Sequence, residues 1–157
     1  SIINYALHYA PEDKQIEIVQ LLFHHGAIDF NTSNFNRRVY RPKSALESAC
    51  WYSNNNVDAL RCIFNCSLDN TLYSNIENMI DDVLLRCNNP YRISNSIREL
   101  RDLLCEKIRE NPGLTYNGFG NNNTVQHLID RLTPFCLRQH QVTINILPPI
   151  INTEMCG

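Results

Sequence analysis

The side chains best suited to chemistry in this sequence are Cys136, His127, His140 and Asp130. A thiolate nucleophile needs an imidazole to take its proton and a third group to orient that imidazole, so these residues hold the parts of a cysteine hydrolase if the fold brings them together. No nucleophile motif surrounds Cys136, and Cys is among the residue types most often buried, which makes packing the simpler account. His24 and His25 end an apolar run and could ligate a metal. Adjacent helix positions point about 100° apart, however, and the negative end of a helix dipole favours solvated histidines there without any metal. Cys62 and Cys66 have one-turn helical spacing and supply only two of the four ligands that a zinc site needs. The five glycines form neither a GxGxxG nor a Walker pattern. No cofactor is expected.

Charge is distributed unevenly. The 157 residues carry 14 Lys plus Arg against 16 Asp plus Glu, a net charge of −2, which argues against general nucleic-acid coating or a polybasic membrane surface. Yet Arg37, Arg38, Arg41 and Lys43 fall within seven residues, interleaved with Tyr40, and no acid occurs between Asp29 and Glu47. Trp51 and Tyr52 follow shortly after. Tyr, Trp and Arg dominate interface hot spots, so this segment is the leading candidate for contact with a partner.

The elements that must position these residues read as helices. Ile16, Val19, Leu22 and Phe23 share one helical stripe that Ile18 and Leu21 widen, and Gly26 supplies a left-handed stop. Before that helix, Tyr5 to Ala10 is a short apolar segment, and Pro11-Glu12-Asp13 forms a turn, giving a helix hairpin. The same order recurs from Ala45 to Trp51, through the turn Ser53-Asn54-Asn55-Asn56, to Val57, Leu60, Ile63 and Phe64. A third unit has Met79, Ile80, Val83 and Leu84 in its first helix and Ile97, Leu100, Leu103 and Leu104 in its second. Ser96 and Glu99 have capping-box spacing there, and Asn111-Pro112-Gly113 terminates the unit. A fourth hairpin would begin near Asn123 with Val125, Leu128, Ile129 and Leu132 on its apolar face, and Val142 to Ile146 alternates like a short strand. Gly118-Phe119-Gly120 and the asparagines after it read as a loop. The seven cysteines are odd in number and scattered, and are read as reduced thiols in a cytosolic compartment. No apolar run approaches the ~20 residues of a bilayer span, so no membrane insertion is expected. The chain starts at Ser1 inside a periodic segment, as a piece of a longer protein would.

The first two hairpins resemble the ankyrin repeat. That family carries a Thr-Pro-Leu-His-x-Ala-Ala signature in its first helix, an Ile/Val-Val-x-x-Leu-Leu run in its second and a closing Gly-Ala-Asp-x-Asn. This chain has Ala6-Leu7-His8-Tyr9-Ala10, then Ile18-Val19-Gln20-Leu21-Leu22, then Gly26-Ala27 with Asp29 and Asn31 one residue late. In the second unit Ser44-Ala45-Leu46-Glu47-Ser48-Ala49-Cys50 occupies the signature place, with Glu47 for the His and Ser67 for the closing Gly. Signature positions recur at Leu7, Leu46, Ile80 and Val125, hence at intervals of 39, 34 and 45 residues, against a family period of about 33.

The resemblance implies an all-α solenoid of about three to four degenerate helix-turn-helix repeats, approximately 1–31, 41–70 and 76–113, with 114–157 a weak fourth repeat or a cap plus tail. It implies a structural role for His8 in the turn network and core positions for Leu7, Leu21 and Leu22. It further implies a non-catalytic, cytoplasmic module that binds a protein partner through the concave surface and inter-repeat fingers. Carried over by position, the finger holds Arg37, Arg38, Tyr40, Arg41 and Lys43, the neighbouring helix end holds Trp51 and Tyr52, and the first repeat contributes Asn4, Glu12 and Asp13. Irregular, Asn-rich repeats of this kind resemble ankyrin proteins of intracellular pathogens and large DNA viruses, which act on host proteins. The alternative is a C-terminal cysteine hydrolase that the repeats target.

Overall fold

The computed structural model describes residues 2–26, 44–54, 57–118 and 122–144. They are mainly helical, in the all-α class the apolar periodicity predicts. The elements are α1 (Ile2–Tyr9), α2 (Glu12–His24), α3 (Ala45–Tyr52), α4 (Asp58–Cys66), α5 (Asp69–Met79), α6 (Ser94–Glu110) and α7 (Val125–Ile144), with two short strands, β1 (Thr115–Asn117) and β2 (Asn122–Thr124). Helix α5 continues into a π-helical turn, Ile80–Leu84, and a 3-10 turn, Pro90–Ile93, leads into α6.

Local chemistry accounts for the helix ends. Pro11 precedes α2, where a missing N–H costs nothing, and Glu12 and Asp13 occupy the first turn, where the dipole favours acids. Gly26 follows that helix at φ +65°, the left-handed conformation expected of it. Ser44 caps α3 by accepting a 3.1 Å hydrogen bond at Oγ from the Glu47 N–H. The Asn111-Pro112-Gly113 stop falls where α6 ends.

Helix α1 pairs with α2, and α3 with α4; α1 also lies against α3, and α2 against α4. Helix α5 then lies against α3, α6 against α4, and α7 against both α5 and α6. The core is continuous through these contacts, from Ile3 and Leu7 through Leu46, Leu60 and Ile63 to Leu100, Leu128 and Leu132. Residues 44–50 are all buried, and the small Ala49 and Cys50 have no exposed surface, which lets neighbouring helices approach closely. Ion pairs cross between helices at the edge: Arg61 of α4 reaches Glu99 of α6 at 2.9 Å, Lys107 of α6 reaches Asp69 of α5 at 3.3 Å, and Arg131 of α7 bonds Asp81 in the π-helical turn.

Several expectations need correction. The first helix of the third unit begins at Asp69, ten residues before Met79, because Leu72, Tyr73 and Ile76 already belong to its buried stripe. Ser96 does not cap α6: its Oγ donates to the Cys50 carbonyl at 2.8 Å, and its N–H donates to Asn54 Oδ1 at 3.1 Å. Residues 142–144 are the end of α7 and not a strand. Asn122 and Asn123, expected in a loop, belong to β2, in an antiparallel ladder pairing Thr115 with Thr124 and Tyr116 with Asn123; Gly118 lies outside both strands, as expected, and a Cβ on it would collide with the side chains of Asn123 and Glu77. Leu21 is 53% exposed, since α2 is centred on Val19 and covered on one side only. Cys50, Cys62, Cys66, Cys87 and Cys136 are free thiols, but Cys105 is disulfide-bonded, so the reading of all cysteines as reduced fails there.

Truncation should separate core from surface. Leu60→Ala, at a fully buried site, is expected to cost about 2–5 kcal/mol of unfolding free energy by loss of burial and cavity formation. Leu21→Ala is expected to change stability by less than about 0.5 kcal/mol. Urea denaturation of the two variants checks both.

Candidate interaction surface

Helix α1 has eight residues and two opposite faces. Ile3 and Leu7, four positions apart, are each 1% exposed and point into the core. Tyr5 and Tyr9 have the same spacing on the other face and are 68% and 66% exposed. Their rings lie 4.5 Å apart; His8 meets Tyr9 edge-on at 4.5 Å and Tyr52, at the end of α3, edge-on at 4.9 Å. Four rings therefore form an unbroken, solvent-facing strip from α1 to α3. Contiguous exposed aromatic surface is unusual on a soluble chain and marks a contact region more often than isolated apolar residues do.

A buried amide holds the strip in place. Gln15 of α2 donates from Nε2 to the carbonyls of Leu7 at 3.0 Å and Ala10 at 3.4 Å. Its Oε1 accepts from Ser53 Oγ at 3.2 Å. One side chain thus ties the end of α1, the start of α2 and the residue following Tyr52. His8, for which the resemblance implies a place in the turn network, is exposed and makes ring contacts, and Gln15 supplies the buried hydrogen bonds instead.

The predicted contact residues separate into groups. Tyr52 belongs to the strip, and Glu12 and Asp13 lie exposed in the first turn of α2, just beyond Tyr9. Trp51 is half-buried and packs on the core. It also lines a separate cleft of about 460 Å³ with Asp82, Val83, Arg86, Cys87 and Arg92. Arg37, Arg38, Tyr40, Arg41 and Lys43 lie outside the described residues, as does the Asn4 side chain. Tyr5 and Tyr9 were not singled out by their sequence, although their phase, opposite to Ile3 and Leu7, was visible in it. Gln15 has no such signal, because a polar residue in a mixed helix reads as solvent-facing.

The hydrolase parts are dispersed. Cys136 is 5% exposed, and burial pushes its thiol up to about 11 despite the guanidinium charges of Arg98 and Arg101 nearby. His127 and Asp130 are exposed on α7, Asp130 accepting a 2.9 Å bond from Gln126. The His140 side chain lies outside the described residues. No hydrogen bond joins Cys136, His127 and Asp130, and no group of three or more His, Cys, Asp or Glu side chains is placed to hold a metal among the described residues. A second cleft, of about 380 Å³, is polar and lined by Asn70, Ser74, Asn75, Asn78 and Asn117 with neighbouring residues.

Comparison with protein-family models, with curated proteins and with solved structures finds no match to this chain.

Two outcomes are expected. Gln15→Ala strands the Leu7 carbonyl and Ser53 hydroxyl in a buried position and should cost about 1–3 kcal/mol in urea denaturation. A raised thiol pKa keeps Cys136 protonated at neutral pH, so its thiolate and its reactivity rise only as pH climbs towards about 11. Iodoacetamide at neutral pH, followed by peptide mapping, should modify exposed Cys66 well before Cys136. Equal rates would place an activated thiolate at Cys136.

Proposed function

We propose that this chain is a non-catalytic protein-interaction module, a stack of about three to four degenerate ankyrin-like hairpins that presents aromatic anchors to a protein partner. The observation that carries the reading is the exposed strip Tyr5, Tyr9, His8 and Tyr52, built from the first helices of two consecutive hairpins. The placing of α1 on α3 and of α2 on α4 supports a repeat stack, since first helices meet first helices and second helices meet second helices. Tyrosine suits such a contact, because its ring buries much area, its hydroxyl keeps the free surface wetted, and few rotatable bonds are ordered on binding. Glu12 and Asp13 set an acidic rim beside the strip, which favours a partner segment with Arg or Lys flanking an apolar anchor.

The basic segment 37–43 belongs to this proposal as the finger that would extend the same surface, and a host-directed role rests on the ankyrin resemblance alone. Binding of nucleic acid is not part of the reading. No helix among the described residues is long and apolar enough to cross a membrane. A cytoplasmic setting is supported by five free thiols among the described residues, one of them exposed, and opposed by the disulfide at Cys105.

Photo-crosslinking tests the strip directly. A photoreactive phenylalanine analogue at Tyr9 should trap a defined polypeptide from cell extract, and the same analogue at exposed Glu110, remote in sequence on α6, should not. The Tyr5→Ser/Tyr52→Ser pair should abolish that capture while leaving stability within about 0.5 kcal/mol per site. Equal capture at both positions, or capture that survives the double substitution, counts against the proposal.

A further inference from the structure

Trp51 and Tyr52 are consecutive residues near the end of α3, so their side chains diverge by about 100° and serve different surfaces. Tyr52 joins the aromatic strip; Trp51 faces the cleft against the π-helical turn. That cleft has its own chemistry. From the geometry and charge of its walls we infer that it binds a small aryl phosphate, the ring seated against Trp51 and Val83 and the dianionic group held by Arg86 and Arg92.

Volume, lining and charge converge on this ligand. At about 460 Å³ the cleft lies within the range of small-molecule sites and is larger than inorganic phosphate alone requires. Its floor is apolar, from buried Val83 and half-buried Trp51 and Cys87, and its rim is charged, with Arg86, Arg92 and Asp82 all exposed. Arg61 and Arg131 are held in ion pairs, and Arg101 bonds Thr133 at 3.1 Å. The guanidiniums of Arg86 and Arg92, by contrast, make no hydrogen bond or ion pair among the described residues. Two guanidiniums facing one cleft match the several oxygens of a phosphate monoester, which can accept a forked pair of N–H bonds from each. Asp82 beside them disfavours a second anionic group, so the cleft suits a ligand with one anionic end and one apolar end.

The backbone supplies an independent observation. The Leu85 N–H bonds the Ile80 carbonyl at 3.1 Å, an i to i+5 closure that inserts one extra residue into the helical turn. Such wide turns re-aim the side chains that follow and occur frequently at functional sites. Here the turn contributes Asp82 and Val83 to the cleft, Arg86 and Cys87 follow it directly, and the next turn brings Arg92 to the same cleft.

The chain contains a single tryptophan, and it lines the site, so intrinsic fluorescence reads occupancy without a label. Titration of the full chain with phenyl phosphate should change Trp51 emission saturably, and benzyl alcohol, with the ring but not the charge, should not. Inorganic phosphate should compete without approaching the affinity of the aryl ester. Arg86→Gln and Arg92→Gln, each at an exposed position, should weaken phenyl phosphate binding by about tenfold or more apiece while far-UV circular dichroism stays unchanged. Should either variant lose helix, Arg86→Lys and Arg92→Lys keep the charge, remove the fork, and are expected to give an intermediate loss. Protection gives a second reading: phenyl phosphate should slow iodoacetamide labelling of Cys87 and leave Cys66 unaffected. A linear response, a response equal to that of benzyl alcohol, affinity unchanged in both glutamine variants, or unprotected Cys87 would each overturn the assignment.

Discussion

Helices α1 and α3 have eight residues each. In a helix that short, the first four N–H groups and the last four carbonyls, none of which has a partner within the helix, are about half of all its backbone polar groups. Such an element is not stable alone, and the fold depends on neighbouring helices completing those bonds while covering the apolar face. Three side chains do much of this. Gln15 takes the Leu7 and Ala10 carbonyls at the end of α1, Ser96 takes the Cys50 carbonyl near the end of α3, and Asn54 receives the Ser96 N–H at the start of α6. Each bond joins one hairpin to another or one helix of a hairpin to the next, so satisfying the ends and fixing the packing are the same act.

This constraint explains where sequence reasoning succeeds. The hairpins α1–α2 and α3–α4 follow from local signals: 3.6-residue apolar spacing, Pro11 before a helix, Gly26 after one, Ser44 three residues before Glu47. Helix α5 carries the same apolar spacing in Leu72, Tyr73, Ile76 and Met79, but most of its remaining positions are Asn, Ser and Thr, which by propensity favour turns; Asn70, Thr71, Ser74, Asn75 and Asn78 line the cleft beside β1. The capping box at Ser96 and Glu99 shows the opposite failure. Its spacing is correct, yet the Ser96 hydroxyl donates to the Cys50 carbonyl, the Ser96 N–H to Asn54 Oδ1, and the Glu99 carboxylate accepts from Arg61. A local motif yields when tertiary contacts offer its groups better use.

Legibility of the surface was lower still. The aromatic content around Trp51 and Tyr52 was evident, but not that two neighbouring rings serve different surfaces, one a strip that begins on α1 and the other a cleft beside the π-helical turn. Likewise Leu21 stands in a family-like Leu-Leu run and is nevertheless exposed, because one flank of α2 has no neighbour among the described helices. Residue type predicted apolarity correctly in each case; coverage depends on what the rest of the chain places alongside.

Helix α1 packs chiefly on α2 and α3, whereas α6 meets α3, α4, α7 and the 3-10 turn. Resistance to local opening grows with such coverage, so amide protons should exchange early in α1 and late in α6. The tyrosines of α1 therefore ride on an element that departs from its native position at a lower free-energy cost than α6 does. An incoming surface of imperfect shape is met by a contact face that can yield by small displacements, and the remainder of the molecule need not follow.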